Sequence, residues 1–203
     1  MGLVQGRPLL DYLIESAQHA RSIGKIVIGT STDPSDDAIE RYCRSKEIDC
    51  VRGDLGNVAR RYEKIVRQLQ LSSFVRISAD SPLLDFRLID RATTLFNKDK
   101  PAIATNVLTR TFPKGQSVEV VDGKIFLKNI SHITDPLDQE HITRYFYRYP
   151  KNFSISNFES GGDWGKVQLS VDTQDDRNRI ATLLSTLSRP HWKYEWKYFA
   201  QAA

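Results

Sequence analysis

The sequence has few cysteines and no long apolar run. Its two cysteines among 203 residues are Cys43 and Cys50, which form no Cys-x-x-Cys pair and have no histidine cluster beside them. This argues against a disulfide framework and against a zinc site. No apolar run approaches the roughly 20 residues that a membrane span needs, and the start of the chain lacks the features of a signal peptide. We therefore expect a cytoplasmic protein with no membrane partner.

The sequence also lacks a strong charge of one sign. It has 29 basic and 25 acidic residues, and the net charge of +4 is spread along the chain. Nucleic-acid binding usually shows a clustered basic stripe with aromatic residues, so we expect no nucleic-acid partner. A site for small anionic molecules explains the same excess. Because no Gly-x-Ser-x-Gly, His-Glu-x-x-His or Walker motif occurs, nothing supports those hydrolase and kinase classes.

Helical and strand patterns alternate over the first half of the chain. The predicted helices span residues 8–22, 34–47, 56–70 and 86–98, and the predicted strands span 25–33, 48–54 and 74–77. Such alternation with short loops predicts an α/β fold, a three-layer α/β/α arrangement around a doubly wound, mostly parallel sheet. Right-handed crossovers would place the carboxyl ends of the strands along one edge, where open α/β sheets bind ligands.

The pattern changes near residue 100. The second half is predicted to contain strands at 101–107, 116–123, 153–159 and 166–173 and helices at 138–150 and 174–187. The aromatic and basic tail, residues 191–203, could be a docked helix or an exposed patch for a partner. Because no linker interrupts the chain, we expect one domain, 1–203, with an amino-terminal half (1–100), a second half (101–190) and the tail.

Two predicted strands end in a carboxylate. Asp80 follows the strand in "FVRISADSPLLD", and Asp172 ends "VQLSVDT". Each could cap the helix that follows, or serve as a ligand for Mg²⁺, which takes one or two protein oxygens and fills its other positions with water and phosphate. The repetition favours a cation shared by both carboxylates. Asp85, five residues after Asp80, is interpreted as a helix cap.

Polar residues at other predicted strand ends could bind a nucleotide. Thr30, Ser31 and Thr32 follow a strand, so their hydroxyls could bond to a base or ribose, although an ordinary strand-to-helix turn with a capping box is favoured. Arg52 could reach a phosphate or base, or be a surface arginine. Glu140 and His141 are adjacent on a predicted helix and diverge in direction, so one of them could face a pocket.

Seven motifs in one order carry a family resemblance. They are "PLLDYLIE", "KIVIGTSTDPSDDAI", "VRGDLGNVARRY", "VRISADSPLLD", "TNVLTRTFPKGQSVEV", "QEHITRYFYRYP" and "LSVDTQDD". Over roughly residues 3–187, the ordered set resembles the acylneuraminate cytidylyltransferase family, in particular its branch for spore-coat polysaccharide synthesis. The resemblance implies a nucleotide-diphosphosugar transferase fold, which is GT-A-like and Rossmann-like.

The resemblance also implies an activity and a distribution of roles. A sugar or sugar acid would take CMP from CTP, with Mg²⁺ as cofactor and pyrophosphate as leaving group. The half 1–100 would bind the nucleotide, and the half 101–190 would bind the sugar and form a homodimer. The implied residues are Asp80 and Asp172 as catalytic metal ligands, Thr30, Ser31, Thr32 and Arg52 at the nucleotide, and Asn106, Glu119, Glu140 and His141 at the sugar.

The family pattern begins upstream of the point that corresponds to Met1. Members start with a central strand and a loop of the type A-R-x-G-S-x-R-x-P-x-K around the triphosphate, whereas this sequence opens at "MGLVQGRPLLDY". Without this strand, we expect unpaired backbone in the middle of the sheet. Without the loop, we expect weaker binding of the phosphates. Either the natural protein is then longer, or this chain has little activity. The alternatives are a non-catalytic remnant that binds a partner and a glycosyltransferase of related fold, which usually carries an Asp-x-Asp motif that is missing from this sequence.

Overall fold

Helices and strands alternate in the first half of the chain, as predicted. The structure, a computed structural model, describes residues 2–203. Its strands are β1 (Leu3–Val4), β2 (Arg7–Pro8), β3 (Val27–Ser31), β4 (Asp49–Gly53), β5 (Ser73–Arg76), β6 (Ile103–Thr105), β7 (Glu119–Asp122) and β8 (Ile155–Asn157). Its helices are α1 (Leu9–Ala17), α2 (Asp37–Ser45), α3 (Val58–Gln68), α4 (Phe86–Asp99), α5 (Gly123–Asn129), α6 (Pro136–Glu140), α7 (Arg144–Arg148), α8 (Gln174–Ser185) and α9 (Trp196–Ala202). No helix within residues 2–203 combines the length and the apolarity needed to cross a membrane.

The strands form a mixed rather than a uniformly parallel arrangement. β3 and β4 pair in parallel, and a second sheet has the order β5-β7-β6-β8. β6 and β8 are parallel, but β7 lies antiparallel between β5 and β6. The α/β class is confirmed, with the reversed β7 as the exception to the parallel pattern. A short hairpin, β1–β2, precedes α1.

The two sheets share the same helical layers without pairing to each other. Within residues 2–203, β3 pairs only with β4 and β5 only with β7, so each has one unpaired edge. On one face, α3 packs against both sheets through Ile65 at Gly29 and Tyr62 at Phe74. On the other face, side chains of β3 and β5 pack against one hydrophobic cluster, which includes α1 and α4. The interruption in mid-sheet that the sequence predicts is therefore present.

The tail is a docked helix. Trp196 and Phe199 of α9 are 6% and 2% exposed. The Trp196 ring meets Phe112 edge-on at 5.1 Å, and Phe199 joins a cluster with Leu83 and Leu169. Because these aromatic side chains are buried, the tail is a docked helix and not an exposed patch for a partner.

Two predicted elements differ in the structure. The helix expected at 138–150 is divided into α6 and α7, because His141 leaves helical geometry (φ −109°, ψ 77°). The strand expected at 166–173 makes a single bridge, between Lys114 and Gln168. Its partner turns away at Gly115, whose φ is +89° and where a Cβ would lie 2.6 Å from the Leu169 backbone. The tight turn therefore ends the ladder after one pair.

Candidate functional site

Several strands end at one edge of the molecule. β3 ends at Ser31, and its parallel neighbour β4 ends in register at Gly53. β5 ends at Arg76, which pairs with Glu119 at the start of the antiparallel β7. We call the edge formed by Ser31, Gly53 and Arg76 the crevice edge. It is the kind of edge at which open α/β sheets bind ligands.

Helix α3 joins the two sheets along this edge. A Cβ at Gly53 would lie 2.8 Å from Cγ of Arg61, so the end of β4 touches the first turns of α3. The next residue, Tyr62, has its ring 5.5 Å from that of Phe74 in β5. Since adjacent residues of one helix contact β4 and β5, the carboxyl ends of these strands lie at the same level.

The structure brings the segments of Asp80 and Asp172 together. The backbone N–H of Val171 donates to the Asp80 carbonyl at 2.8 Å, which makes the two stretches neighbours. Asp80 is half-buried and its Oδ1 accepts from the Ser81 hydroxyl at 2.7 Å, while Asp172 is exposed and its Oδ2 accepts from Gln168 at 2.8 Å. Within residues 2–203, Oδ2 of Asp80 and Oδ1 of Asp172 accept no hydrogen bond. Each carboxylate thus keeps one oxygen for a ligand.

Neither aspartate is used as a helix cap. The cap of α4 is Asp85, whose side chain accepts from the Arg87 N–H. The cap of α8 is Thr173, which forms a capping box with Asp176. The capping function of Asp85 is confirmed, and the capping alternative for Asp80 and Asp172 is removed.

The carboxylate pair suits a magnesium ion better than a metal whose ligands all come from protein side chains. Among residues 2–203, no group of three or more His, Cys, Asp or Glu side chains could hold a metal ion. Mg²⁺ is usually bound through one or two carboxylates, with water and substrate phosphates as its other ligands. Asp80 and Asp172, open to water and each with a free oxygen, meet that requirement.

The hydroxyls after β3 are held by a single carboxylate. Asp36 Oδ2 accepts from the Thr30 hydroxyl at 2.7 Å, from the Ser31 hydroxyl at 2.6 Å and from the Ser31 N–H at 2.9 Å. These bonds, led by those from Ser31 and Thr30, lower the pKa of Asp36. Thr30 and Ser31 are buried, whereas Thr32 is exposed at the crevice edge. Of these three residues, Thr32 is therefore the one that is open to a ligand, and the nucleotide contact predicted for all three stays a prediction.

Arg52 binds the backbone of the same loop. Its Nε donates to the Ser31 carbonyl at 2.7 Å, and its Nη2 donates to the Asp33 carbonyl at 2.9 Å. Ion pairs with Asp37 and Glu40, each at 2.7 Å, hold the guanidinium in place. The predicted direct contact between Arg52 and the nucleotide stays a prediction, and the geometry gives Arg52 a positioning function.

Of the four predicted sugar-side residues, Asn106 and Glu119 lie close together and are occupied by protein contacts. The buried Asn106 amide donates to the Gln116 carbonyl at 2.7 Å and accepts from the Val118 N–H at 2.9 Å. Glu119, which is 1% exposed, accepts from Arg76 at 2.6 Å and from the Tyr147 hydroxyl at 2.5 Å. Burial and the nearby Glu119 raise the pKa of Tyr147.

Glu140 and His141 are not part of this network. Both are exposed, at the junction between α6 and α7, and make no side-chain hydrogen bond to Asn106 or Glu119 within residues 2–203. Their sugar-binding function, like that of Asn106 and Glu119, stays a prediction.

The contacts that two residues make near the crevice edge were not predicted from the sequence. Asp36, which the sequence places among the acidic residues in the first turn of a helix, instead holds the hydroxyls that follow β3. Arg61 donates to the Asp54 carbonyl at 2.9 Å, and its buried Nε has no partner within residues 2–203. The only signal in the sequence was the run of three hydroxyl residues followed shortly by an acid, which is also typical of an ordinary turn.

Comparisons with known proteins agree on one family. The model of the family described as Cytidylyltransferase matches residues 2–190. Spore coat polysaccharide biosynthesis protein SpsF of Bacillus subtilis is 28% identical over 183 residues, which are 86% of this chain and 75% of that protein. A 3-deoxy-manno-octulosonate cytidylyltransferase of Bdellovibrio bacteriovorus is 23% identical over 78% of this chain and 59% of its own length.

Solved structures share the fold. A cytidylyltransferase from Leptospira borgpetersenii superposes with a TM-score of 0.88 at 22% identity, over 95% of this chain and 81% of that one. A CMP:2-keto-3-deoxy-manno-octonic acid synthetase complexed with CTP gives a TM-score of 0.67 at 12% identity, over 91% of this chain and 90% of that one. At identities of 22% and 12%, the structural likeness shows the fold alone. The comparisons as a whole favour neither of the two alternatives, a glycosyltransferase or a non-catalytic remnant.

Proposed function

Because this chain belongs to the cytidylyltransferase family, we propose that it transfers CMP from CTP to a hydroxyl group of a sugar or sugar acid. The match over residues 2–190 confirms the family and the nucleotidyltransferase class that the ordered motifs predict. The names of two relatives, one for spore-coat polysaccharide biosynthesis and one for 3-deoxy-manno-octulosonate, support a sugar or sugar acid as the acceptor.

The proposed reaction is a displacement at the α-phosphorus of CTP. The acceptor hydroxyl oxygen forms a bond to this phosphorus while the bond from the phosphorus to the α,β-bridging oxygen breaks. Pyrophosphate leaves, and the hydroxyl proton passes to solvent. Asp80 and Asp172 would hold the cation, and the loop after β3 would border the nucleotide. When bound, Mg²⁺ would neutralise the charge that develops on the phosphoryl oxygens and on the leaving group.

One observation carries the assignment of the site. The Val171–Asp80 backbone bond places two carboxylates in neighbouring segments, and each keeps a free oxygen because other residues cap the helices. Neither carboxylate caps a helix, so capping does not account for the position of either one. Asp80 and Asp172 would hold a Mg²⁺ ion together with a substrate phosphate.

We also propose that the protein is a homodimer that associates through its second half. Leu137, in α6, is 52% exposed, and Tyr149, directly after α7, is 42% exposed. Exposed apolar side chains of this size in neighbouring elements favour a contact with another subunit. Light scattering over a range of protein concentrations would give the mass of a dimer, whereas the mass of a monomer at all concentrations would reject this part of the proposal.

The test of the function is a thermal-shift comparison of this chain and two variants. CTP, the other nucleoside triphosphates and UDP-sugars are added with and without Mg²⁺, since a ligand that binds the native state raises the melting temperature. We expect a Mg²⁺-dependent shift with CTP that is lost in Asp80→Asn. The matched control is Asp49→Asn, which removes an exposed carboxylate at the opposite end of β4.

Two outcomes would contradict the proposal. A melting temperature that no nucleotide changes would reject a nucleotide site in this chain. A shift with UDP-sugars but not with CTP would favour the glycosyltransferase instead. Retention of the CTP shift in Asp80→Asn would remove Asp80 from the site while leaving the substrate in place.

A further inference from the structure

A second cleft lies at the end of the sheet opposite to the crevice edge. β7 runs from Glu119, which pairs with Arg76 at the crevice edge, to Asp122, which pairs with Ser73. The Asp122 N–H donates to the carbonyl of Ala102 at 3.0 Å, just before β6 begins. Because three residue steps of a strand cover about 10 Å, Ala102 lies at the other end of the sheet from the proposed nucleotide site.

The cleft at this end is large enough for a small molecule. It has a volume of about 550 Å³ and is formed by α5, α7 and the segments that precede β6 and β8. Small-molecule sites usually have volumes of about 300–1,000 Å³. We call it the far cleft, and among the residues that line it are Lys128, His132, Tyr145, Asn152, Phe153 and Ser154.

The far cleft has basic side chains without acidic partners. No Asp or Glu lines it, and within residues 2–203 neither Lys128 nor His132 forms an ion pair. Arg144 and Arg148 of the neighbouring α7, by contrast, are both paired with Asp138. A lysine ammonium in a cleft that contains no carboxylate favours an anionic ligand.

Other polar groups of the far cleft are available to a ligand. Ser154 Oγ accepts from the Ala102 N–H at 3.1 Å, so the Ser154 hydroxyl proton is left for another acceptor. The Asn152 amide and the Tyr145 hydroxyl make no hydrogen bond within residues 2–203. Donors and acceptors that come from separate segments suit a ligand with several hydroxyl groups.

Two aromatic rings also line the far cleft. Tyr145 and Phe153 are half-buried, and their ring centroids lie 5.9 Å apart. The ring of the buried Phe146 meets Phe153 edge-on at 4.7 Å and fixes its position. The faces of aromatic rings carry partial negative charge and attract C–H groups, which a sugar ring presents on its faces.

We propose that the far cleft binds a sugar that carries a carboxylate or phosphate group. Lys128 holds the anionic group, Asn152 and Ser154 bond to the sugar hydroxyls, and the two aromatic rings pack against the sugar ring. None of the residues assigned to the transfer reaction lines this cleft. The site is therefore separate from the acceptor site of the proposed function and does not depend on it.

The experiment follows the backbone amide signals of the full chain by NMR during four titrations. The probes are glucuronate, glucose 6-phosphate, glucose and inorganic phosphate, without nucleotide or Mg²⁺. We expect both anionic sugars to shift the signals of Lys128, Asn152 and Ser154. Glucose should bind at least roughly 10-fold more weakly, because it lacks the charge-assisted hydrogen bond to Lys128.

Variants locate the binding site. Lys128→Gln should weaken the binding of both anionic sugars by roughly 10-fold, and Lys128→Arg should retain most of it. The matched control is Lys124→Gln, which removes an exposed lysine one turn earlier on the same helix and outside the cleft. Asp80→Asn should leave the titration unchanged, since Asp80 belongs to the proposed transfer site.

The outcomes separate this inference from the proposed function. Shifts confined to the crevice edge, or an affinity unchanged in Lys128→Gln, overturn the inference and leave the proposed function in place. Inorganic phosphate that binds as tightly as the anionic sugars also overturns it, because the sugar ring then contributes nothing. A preference for glucuronate or for glucose 6-phosphate supports the inference and identifies the anionic group. Failure of every nucleotide to bind would reject the proposed function alone.

Discussion

At the scale of single residues, His191 shows how burial sets a charge state. Its Nε2 lies 2.9 Å from the Tyr12 carbonyl, so this nitrogen donates and the ring needs no second proton. The side chain is 5% exposed. Burial lowers the pKa of His191, and positive charges at Arg7 and His19 act in the same direction, while the Tyr12 bond and Glu15 oppose it. The folded protein therefore holds a neutral histidine.

This charge state predicts a dependence of stability on pH. The unfolded chain binds a proton at His191 near pH 6.5, whereas the folded chain binds it at lower pH, so the free energy of unfolding falls as pH drops below about 6.5. Above that pH, His191 contributes nothing to the pH dependence of the free energy of unfolding. Urea denaturation between about pH 5.5 and 7.5 measures the effect, and His191→Gln should show a weaker slope in this window. Equal slopes in the two proteins would contradict the prediction.

At the scale of elements, Asp85 connects two helices that are far apart in sequence. One oxygen accepts from the Arg87 N–H at 3.0 Å and caps α4. The other accepts from the Trp196 N–H at 3.0 Å, at the start of α9. The first bond was predictable, because an acid just before an apolar helix is a common cap. The second was not, because it joins positions 111 residues apart and depends on how the tail docks.

Loss of Asp85 should therefore destabilise both helices. Asp85→Ala removes the cap and leaves the Trp196 N–H buried without a partner, which should lower the free energy of unfolding by about 3 kcal/mol. Asp85→Asn keeps an acceptor and should cost less. Urea denaturation gives both values, with Asn97→Ala, at an exposed position of α4, for comparison. A loss in Asp85→Ala no larger than in Asn97→Ala would show that the shared cap contributes little.

The division between α6 and α7 shows where helical periodicity misleads. Apolar residues recur at helical spacing across 138–150, yet the buried Asp138 pairs with Arg144 at 2.5 Å and Arg148 at 2.6 Å. Asp135 caps α6 with Pro136 in its first turn, so that helix starts before the predicted position and ends at Glu140. Periodicity reports which side chains are apolar, but a buried ion pair between two turns is a tertiary contact that it cannot show.

At the scale of the whole molecule, the sequence indicated which segments come together better than it indicated the contacts that their side chains make. Asp80 and Asp172 were identified because each follows an apolar strand pattern, and the fold brings their segments together. Thr30 and Ser31 were identified for their hydroxyl groups, but the structure buries these groups against Asp36. Strand ends can be read from local patterns, whereas the partner that takes each hydroxyl proton is set by packing.

The interruption between β3 and β5 leads to the last prediction. A strand that is paired on one side only leaves alternate N–H groups without a partner along its other edge. Side chains of β5 are all partly exposed, whereas β6 is fully buried and β7 nearly so. Amide hydrogen exchange should therefore be fast at alternate positions of β5 and of residues 27–30 in β3, and slow throughout β6 and β7. Ser31 is excepted, because its N–H donates to Asp36 Oδ2. Slow exchange along all of β5 would mean that its open edge is covered in solution, and an increase of that protection with protein concentration would identify a second copy as the cover.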